Sequence, residues 1–80
     1  MFDLQKLTFF TEGNTFTGSR SEGKKLLRYR VKPEEDELVA YYWRNDKCFE
    51  AANEKEEKRF LLNEKGLEAI QNWLEEAWNQ

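Results

Sequence analysis

The most constraining stretch of this chain is a run of strict alternation from Leu26 to Lys32. Leu27, Tyr29 and Val31 fall on one side and Arg28, Arg30 and Lys32 on the other, the period of a strand with two unlike faces. Pro33-Glu34-Glu35-Asp36 then reads as a tight turn, because proline pre-sets φ for the first corner. The next run, Glu37 to Arg44, is apolar on both sides: Val39, Tyr41 and Trp43 on one, Leu38, Ala40 and Tyr42 on the other. Such a strand is central, or has a covered second side. The two runs form a β-hairpin whose core face is expected to unite Tyr29, Val31, Tyr41 and Trp43.

What packs on this hairpin has to come from few residues. The chain of 80 residues is read as a single domain, 1–80. A chain of this size buries only roughly 60% of its unfolded surface, so a few large rings must carry the core. They are present: 15% of the residues are aromatic, a content that argues against disorder.

Upstream, Leu7 and Phe9 alternate as in a strand, while Leu4 and Leu7 also fit a helical turn, so residues 5–11 are open between the two. Glu12-Gly13-Asn14 is a turn signal, Thr15-Phe16-Thr17 a short strand, and Gly18 to Gly23 a polar loop. Downstream, 45–56 reads as loop, with room for one helical turn over 51–57, and Lys58 to Leu62 as a last short strand.

The C-terminal segment reads as a helix. Asn63 is its N-cap, Glu64 sits favourably in the first turn, and Leu67, Ile70, Leu74 and Ala77 line one apolar arc. Gly66 lies inside the first turn at a cost of about 1 kcal/mol against Ala, which close approach to the sheet would explain. The fold class expected is α+β: an antiparallel meander of three to four strands with one C-terminal helix packed on a face.

Several chemistries drop out. With no histidine there is no His-based triad and no imidazole metal site. Cys48 is the sole cysteine, so no intramolecular disulfide and no Cys-cluster zinc site is available. Gly18-Ser19-Arg20-Ser21-Glu22-Gly23-Lys24-Lys25 nearly spells a phosphate-binding loop, but Lys25 stands where the Mg²⁺-binding hydroxyl belongs and a strand follows where a helix is required. Glu34-Glu35-Asp36-Glu37 lies in an exposed turn, where nothing excludes water or raises a carboxyl pKa. No catalytic residue, cofactor site or metal site is assigned, and the chain is read as no enzyme.

Net charge is −3, unevenly spread. Residues 1–33 hold seven Lys/Arg against three acids, a balance of +4; residues 34–80 hold six against thirteen, a balance of −7. Two surfaces follow. On the helix, Trp73 and Trp78 flank the apolar arc, and Glu75 and Glu76 oppose the helix dipole; these four are the candidate residues for binding a protein partner. On the hairpin, Lys24, Lys25, Arg28, Arg30 and Lys32, with Tyr42 for stacking, are the candidates for nucleic acid. A protein partner is preferred because the chain as a whole is acidic. A homodimer is compatible with either surface.

The N-terminal residues show neither a positive n-region nor an apolar h-region, and the longest apolar run is Val39 to Trp43. With a free cysteine, these absences lead us to expect a soluble, cytoplasmic protein with no membrane contact.

Gly13-Asn14-Thr15-Phe16-Thr17-Gly18-Ser19, Leu27-Arg28-Tyr29-Arg30, Gly66-Leu67 and Trp73-Leu74 together resemble small hypothetical proteins of anaerobic Firmicutes and their mobile elements. The likeness spans most of the chain. It implies a prokaryotic or phage setting, in which a small accessory or inhibitory protein is the expected role, and it brings no site residues.

Overall fold

The computed structural model describes residues 2–52 and 54–80. A short helix α1 (Leu7–Thr11) precedes strands β1 (Phe16–Glu22), β2 (Lys25–Glu34), β3 (Glu37–Trp43) and β4 (Glu56–Leu61), and the chain closes with helix α2 (Glu64–Trp78). The strands form one antiparallel sheet in the order β1-β2-β3-β4, each paired with its neighbour in sequence. This is the α+β meander the alternation implied. Among the described residues, no helix is long and apolar enough to cross a membrane.

Local chemistry explains the boundaries. Within residues 5–11, Leu7–Thr11 resolve as helix after an extended Lys6, because a helical turn turns Phe10 fully into the core while Leu7 and Phe9 pack against its border. The chain reverses at Gly13, where φ is +92° and the N–H donates to the Phe10 carbonyl. β1 and β2 are joined by the tight Gly23-Lys24 turn, so Gly18 to Glu22, read as loop in the sequence, belongs to a strand instead. The many small polar residues there mark an edge strand, which needs no apolar run. Glu35 and Asp36 link β2 and β3, with Glu34 opposite Glu37 and Glu35 at φ +57°. Asn53, within the 51–57 stretch that had room for a helical turn, lies outside the described residues, as does Met1 of the N-terminal stretch. Glu56 and Glu57 of that same stretch are β4 strand.

Helix α2 is capped as its sequence indicates: the Asn63 side chain accepts the Gly66 N–H at 2.8 Å. Its arc of Leu67, Ile70, Leu74, Ala77 and Trp78 meets Leu27, Tyr29 and Val31 of β2 and Leu38 and Ala40 of β3. Phe2 and Phe10 fill in from the N-terminal side. Gly66 is where helix and sheet touch. A β-carbon there would stand 2.8 Å from the Leu61 carbonyl carbon and closer still to its oxygen.

The second face of the hairpin departs from expectation. Val31 pairs with Ala40 and Tyr29 with Tyr42, so the core face takes the even positions of β3. Val39, Tyr41 and Trp43 point away from the helix, on the side of Arg28, Arg30 and Lys32. They are nonetheless covered: Val39 is fully buried and Trp43 is 1% exposed. The cover comes from the described residues of segment 44–55, through Asp46, Lys47, Phe49 and Lys55, and the sheet buries apolar residues on each side.

Candidate interaction surface

The segment 44–55 is held on the second face by polar latches around one ring. The Trp43 indole Nε1–H donates to the Lys47 carbonyl at 2.7 Å, and Arg28 pairs with Asp46. The ring of Phe49 stands edge-on to Tyr41 at 4.8 Å and to Trp43 at 5.8 Å. The Arg30 guanidinium lies 4.1 Å from its centroid and the Lys55 ammonium 4.0 Å, so Phe49 is gripped between two cations. Lys55 also donates to the Phe49 carbonyl at 2.8 Å. Ala52, in the same segment, is buried. Burial, then the charges of Glu57 and Glu34, raise the pKa of Tyr41 above the ordinary tyrosine value, against the opposing pull of Arg30 and Arg59.

This cover reaches only part of the face. It lies over β3, whereas on the β1 side Thr17, Ser19 and Ser21 are exposed beside Arg30, Arg28 and Leu26, their register partners. Arg28, Arg30 and Lys32 are half-buried along this border. The open part of the face is therefore a row of cations flanked by short hydroxyl side chains.

The nucleic-acid candidates do not all share this face. Tyr42 points to the helix side, where its ring meets Trp73 at 4.9 Å, so it cannot stack a base beside the arginines. The reason is strand parity: Tyr42 pairs with Tyr29, not with Arg28 or Arg30. Lys25 also turns to the helix side and sets its ammonium 4.4 Å from the Trp78 ring. Lys24 lies in the β1–β2 turn. Only Arg28, Arg30 and Lys32 form a contiguous basic row.

The helix candidates are drawn into packing. Trp78 is 4% exposed, lies edge-on to Phe2 at 6.1 Å, and is flanked by the cations of Arg20 at 4.5 Å and Lys25. Trp73 is half-buried against Tyr42 and Phe60. Glu75 receives a hydrogen bond from Arg20 at 3.3 Å, so the cation missing from the last turn of α2 is supplied by β1. Glu76 alone of the four stays exposed. The corrected picture is of a helix end that closes the core; Arg20, with a polar head on apolar rings, carries no periodic signal that would have revealed it.

Beside this cluster, burial and then the charge of Asp3 raise the pKa of Tyr29, whose hydroxyl donates to the Asp3 carbonyl at 2.9 Å. Cys48 is exposed, and among the described residues no group of three or more cysteine or carboxylate side chains is placed to hold a metal ion. No protein-family model matches the chain, and neither do the curated proteins or the solved structures with which it was compared.

Proposed function

We propose that the protein is a small non-enzymatic protein-binding module, an accessory or inhibitory protein of a prokaryotic or phage setting, and that it meets its partner on the open, β1-side half of the second face. The observation that carries this reading is the incomplete cover of that face. Segment 44–55 shields β3 and leaves Arg28, Arg30 and Lys32 bordering exposed Thr17, Ser19 and Ser21. The outer side of α2, by contrast, exposes Lys65, Glu68, Ala69, Asn72 and Glu76 and offers no anchor side chain. Ranking protein above nucleic acid rests on the overall charge of −3 and on the separation of Tyr42 and Lys25 from the arginine row.

The test is capture of partners from a native host with three baits: wild type, Ser19→Glu with Lys32→Glu, and Glu68→Lys with Glu76→Lys. Loss of a partner with the first variant alone supports the assignment. Loss with the second alone would return the surface to the helix. Binding of single-stranded DNA or RNA tighter than about 1 µM at physiological salt would replace the protein partner with nucleic acid.

A further inference from the structure

The two edges of the sheet are built differently, and the difference identifies what the open face receives. β4 carries Glu56, Glu57, Lys58 and Arg59 in its six residues, and Arg59 is fastened to Glu34 at 3.3 Å and Glu37 at 3.1 Å. Charge of that density guards an edge against further pairing. β1 lacks such a guard. Its one cation, Arg20, is turned onto Trp78 and Phe2 and held by Glu75, and its acid, Glu22, sits at the turn. From Thr17 to Ser21 the strand presents main chain with only small, uncharged side chains on the open face. No main-chain hydrogen bond from the N-terminal segment reaches β1 among the described residues.

We propose that β1 is a strand-addition edge, and that its occupant is an extended segment of another protein carrying acidic side chains at every second position. This rests on the protein-binding reading and specifies the partner's chemistry. A strand added outside β1 lies about 5 Å from β1 and about 10 Å from β2. Because Ser19 and Thr17 are short, nothing bulky stands between such a strand and their register partners Arg28 and Arg30. Both guanidiniums are turned to the 44–55 cover, Arg28 onto Asp46 and Arg30 onto the Phe49 ring, so a glutamate of the added strand would take Arg28 in exchange for the exposed Asp46 and would reach Arg30 over the hydroxyls. On the helix side, the buried Tyr29 ring lies over Gly18, where a β-carbon would come within 2.7 Å of it. A groove of about 230 Å³ lined by Phe2, Asp3, Ser19, Arg20 and Tyr29 opens there. The intervening positions of the added segment face this helix side, and valine serves there as an uncharged spacer that favours the extended strand. A second copy of this chain fits less well, since pairing β1 with β1 would bring together two regions that each carry +4 over residues 1–33.

The probes are synthetic heptapeptides, matched to the seven residues of β1: one alternating Glu and Val, one alternating Lys and Val, and the Glu–Val peptide N-methylated at alternate residues. They are titrated into the isotopically labelled wild-type protein and into Thr17→Glu with Ser19→Glu. The expected result is saturable binding of the Glu–Val peptide alone, with slowed amide exchange in residues 17–21. Its Kd should weaken at least about ten-fold between about 50 and about 500 mM salt, and by a similar factor in the variant.

Equal binding of the N-methylated peptide would overturn strand addition, leaving plain charge contact. Equal binding of the Lys–Val peptide would overturn the acidic specification, and protection confined to β4 would overturn the choice of edge. Displacement by oligo-dT, or a peptide-free dimer that Ser19→Glu dissolves, would replace the occupant. Should the double variant fail to fold, the three peptides on wild type still decide. If the peptides fail while host partners remain sensitive to Ser19→Glu with Lys32→Glu, strand addition falls and the binding module stands.

Discussion

Replacing Gly66 with alanine sets two well-known effects against each other. In an exposed helix the change gains about 1 kcal/mol, because glycine loses more backbone freedom on folding. Here the added carbon would stand 2.8 Å from the Leu61 carbonyl carbon and 3.2 Å from its nitrogen, well inside van der Waals contact. The obstacle is main chain and cannot rotate aside. The Leu61 carbonyl is itself fixed by the Asn63 N–H at 2.9 Å, and Leu62 N–H is tied to the Asp36 carbonyl at 3.2 Å. Relief requires the first turn of α2 to lift from β4, loosening the Asn63 cap and the packing of Leu67 and Ile70. Overpacking of this kind costs about 1–3 kcal/mol, and a lost cap about 1 more, so a net loss of about 1–3 kcal/mol is expected after the propensity gain. For a domain of this size that corresponds to a fall in Tm of about 5–20 °C. Urea and thermal melts followed by far-UV circular dichroism and tryptophan fluorescence measure it. Ala69→Gly, at an exposed position of the same helix, should lose about 1 kcal/mol and calibrates the propensity term. A Gly66→Ala protein as stable as wild type would refute the close approach.

Trp43→Ala should cost about 3–5 kcal/mol in a urea melt, with exchange accelerated first in residues 44–55, since the indole anchors that cover. Unaltered exchange there would show that the segment is held by something else. Tyr29→Phe should lose about 1 kcal/mol at neutral pH with the hydroxyl bond to Asp3. Since the folded pKa of Tyr29 is raised, its contribution is fully present below the ordinary tyrosine value near 10 and lost as pH rises through the folded value. A pH series of denaturant melts on the alkaline side should therefore decline more steeply for wild type than for Tyr29→Phe. Glu75→Lys should lower stability by about 0.5–1 kcal/mol by breaking the half-exposed pair with Arg20, whereas Glu76→Lys should raise it by about 0.3 kcal/mol through the helix dipole; equal melts for the two would dissolve the distinction.

The alternation of Leu26 to Lys32 and the cap and arc of the helix were legible because each repeats a local period. The face of β3 was not. Reading Val39, Tyr41 and Trp43 inward follows size, but facing is decided by pairing parity, and with Glu34 opposite Glu37 odd positions of β2 meet even positions of β3. A shift of one residue in the turn would have exchanged the two sides. Apolar residues on both sides did signal a covered second side. The identity of the cover stayed hidden, because segment 44–55 contributes just Phe49 and Ala52 as buried or half-buried apolar weight and otherwise works through carbonyls and cations. The partner of Glu75 was hidden for a related reason: Arg20 reaches it across 55 residues of sequence, and no local pattern encodes that meeting.

A sheet clothed on both sides also equips the molecule with its own optical reporters. Trp43 belongs to the loop side, Trp73 and Trp78 to the helix side, with the strands as a partition between them. The loop side is thin, fastened by a few latches, while the helix side is a continuous apolar cluster. Openings of the thin side alone should lie well below the free energy of global unfolding. A protein retaining only Trp43 would then register excursions to which one retaining only Trp78 stays blind, and the difference between the two signals would count how often this small domain loosens one side while keeping the other closed.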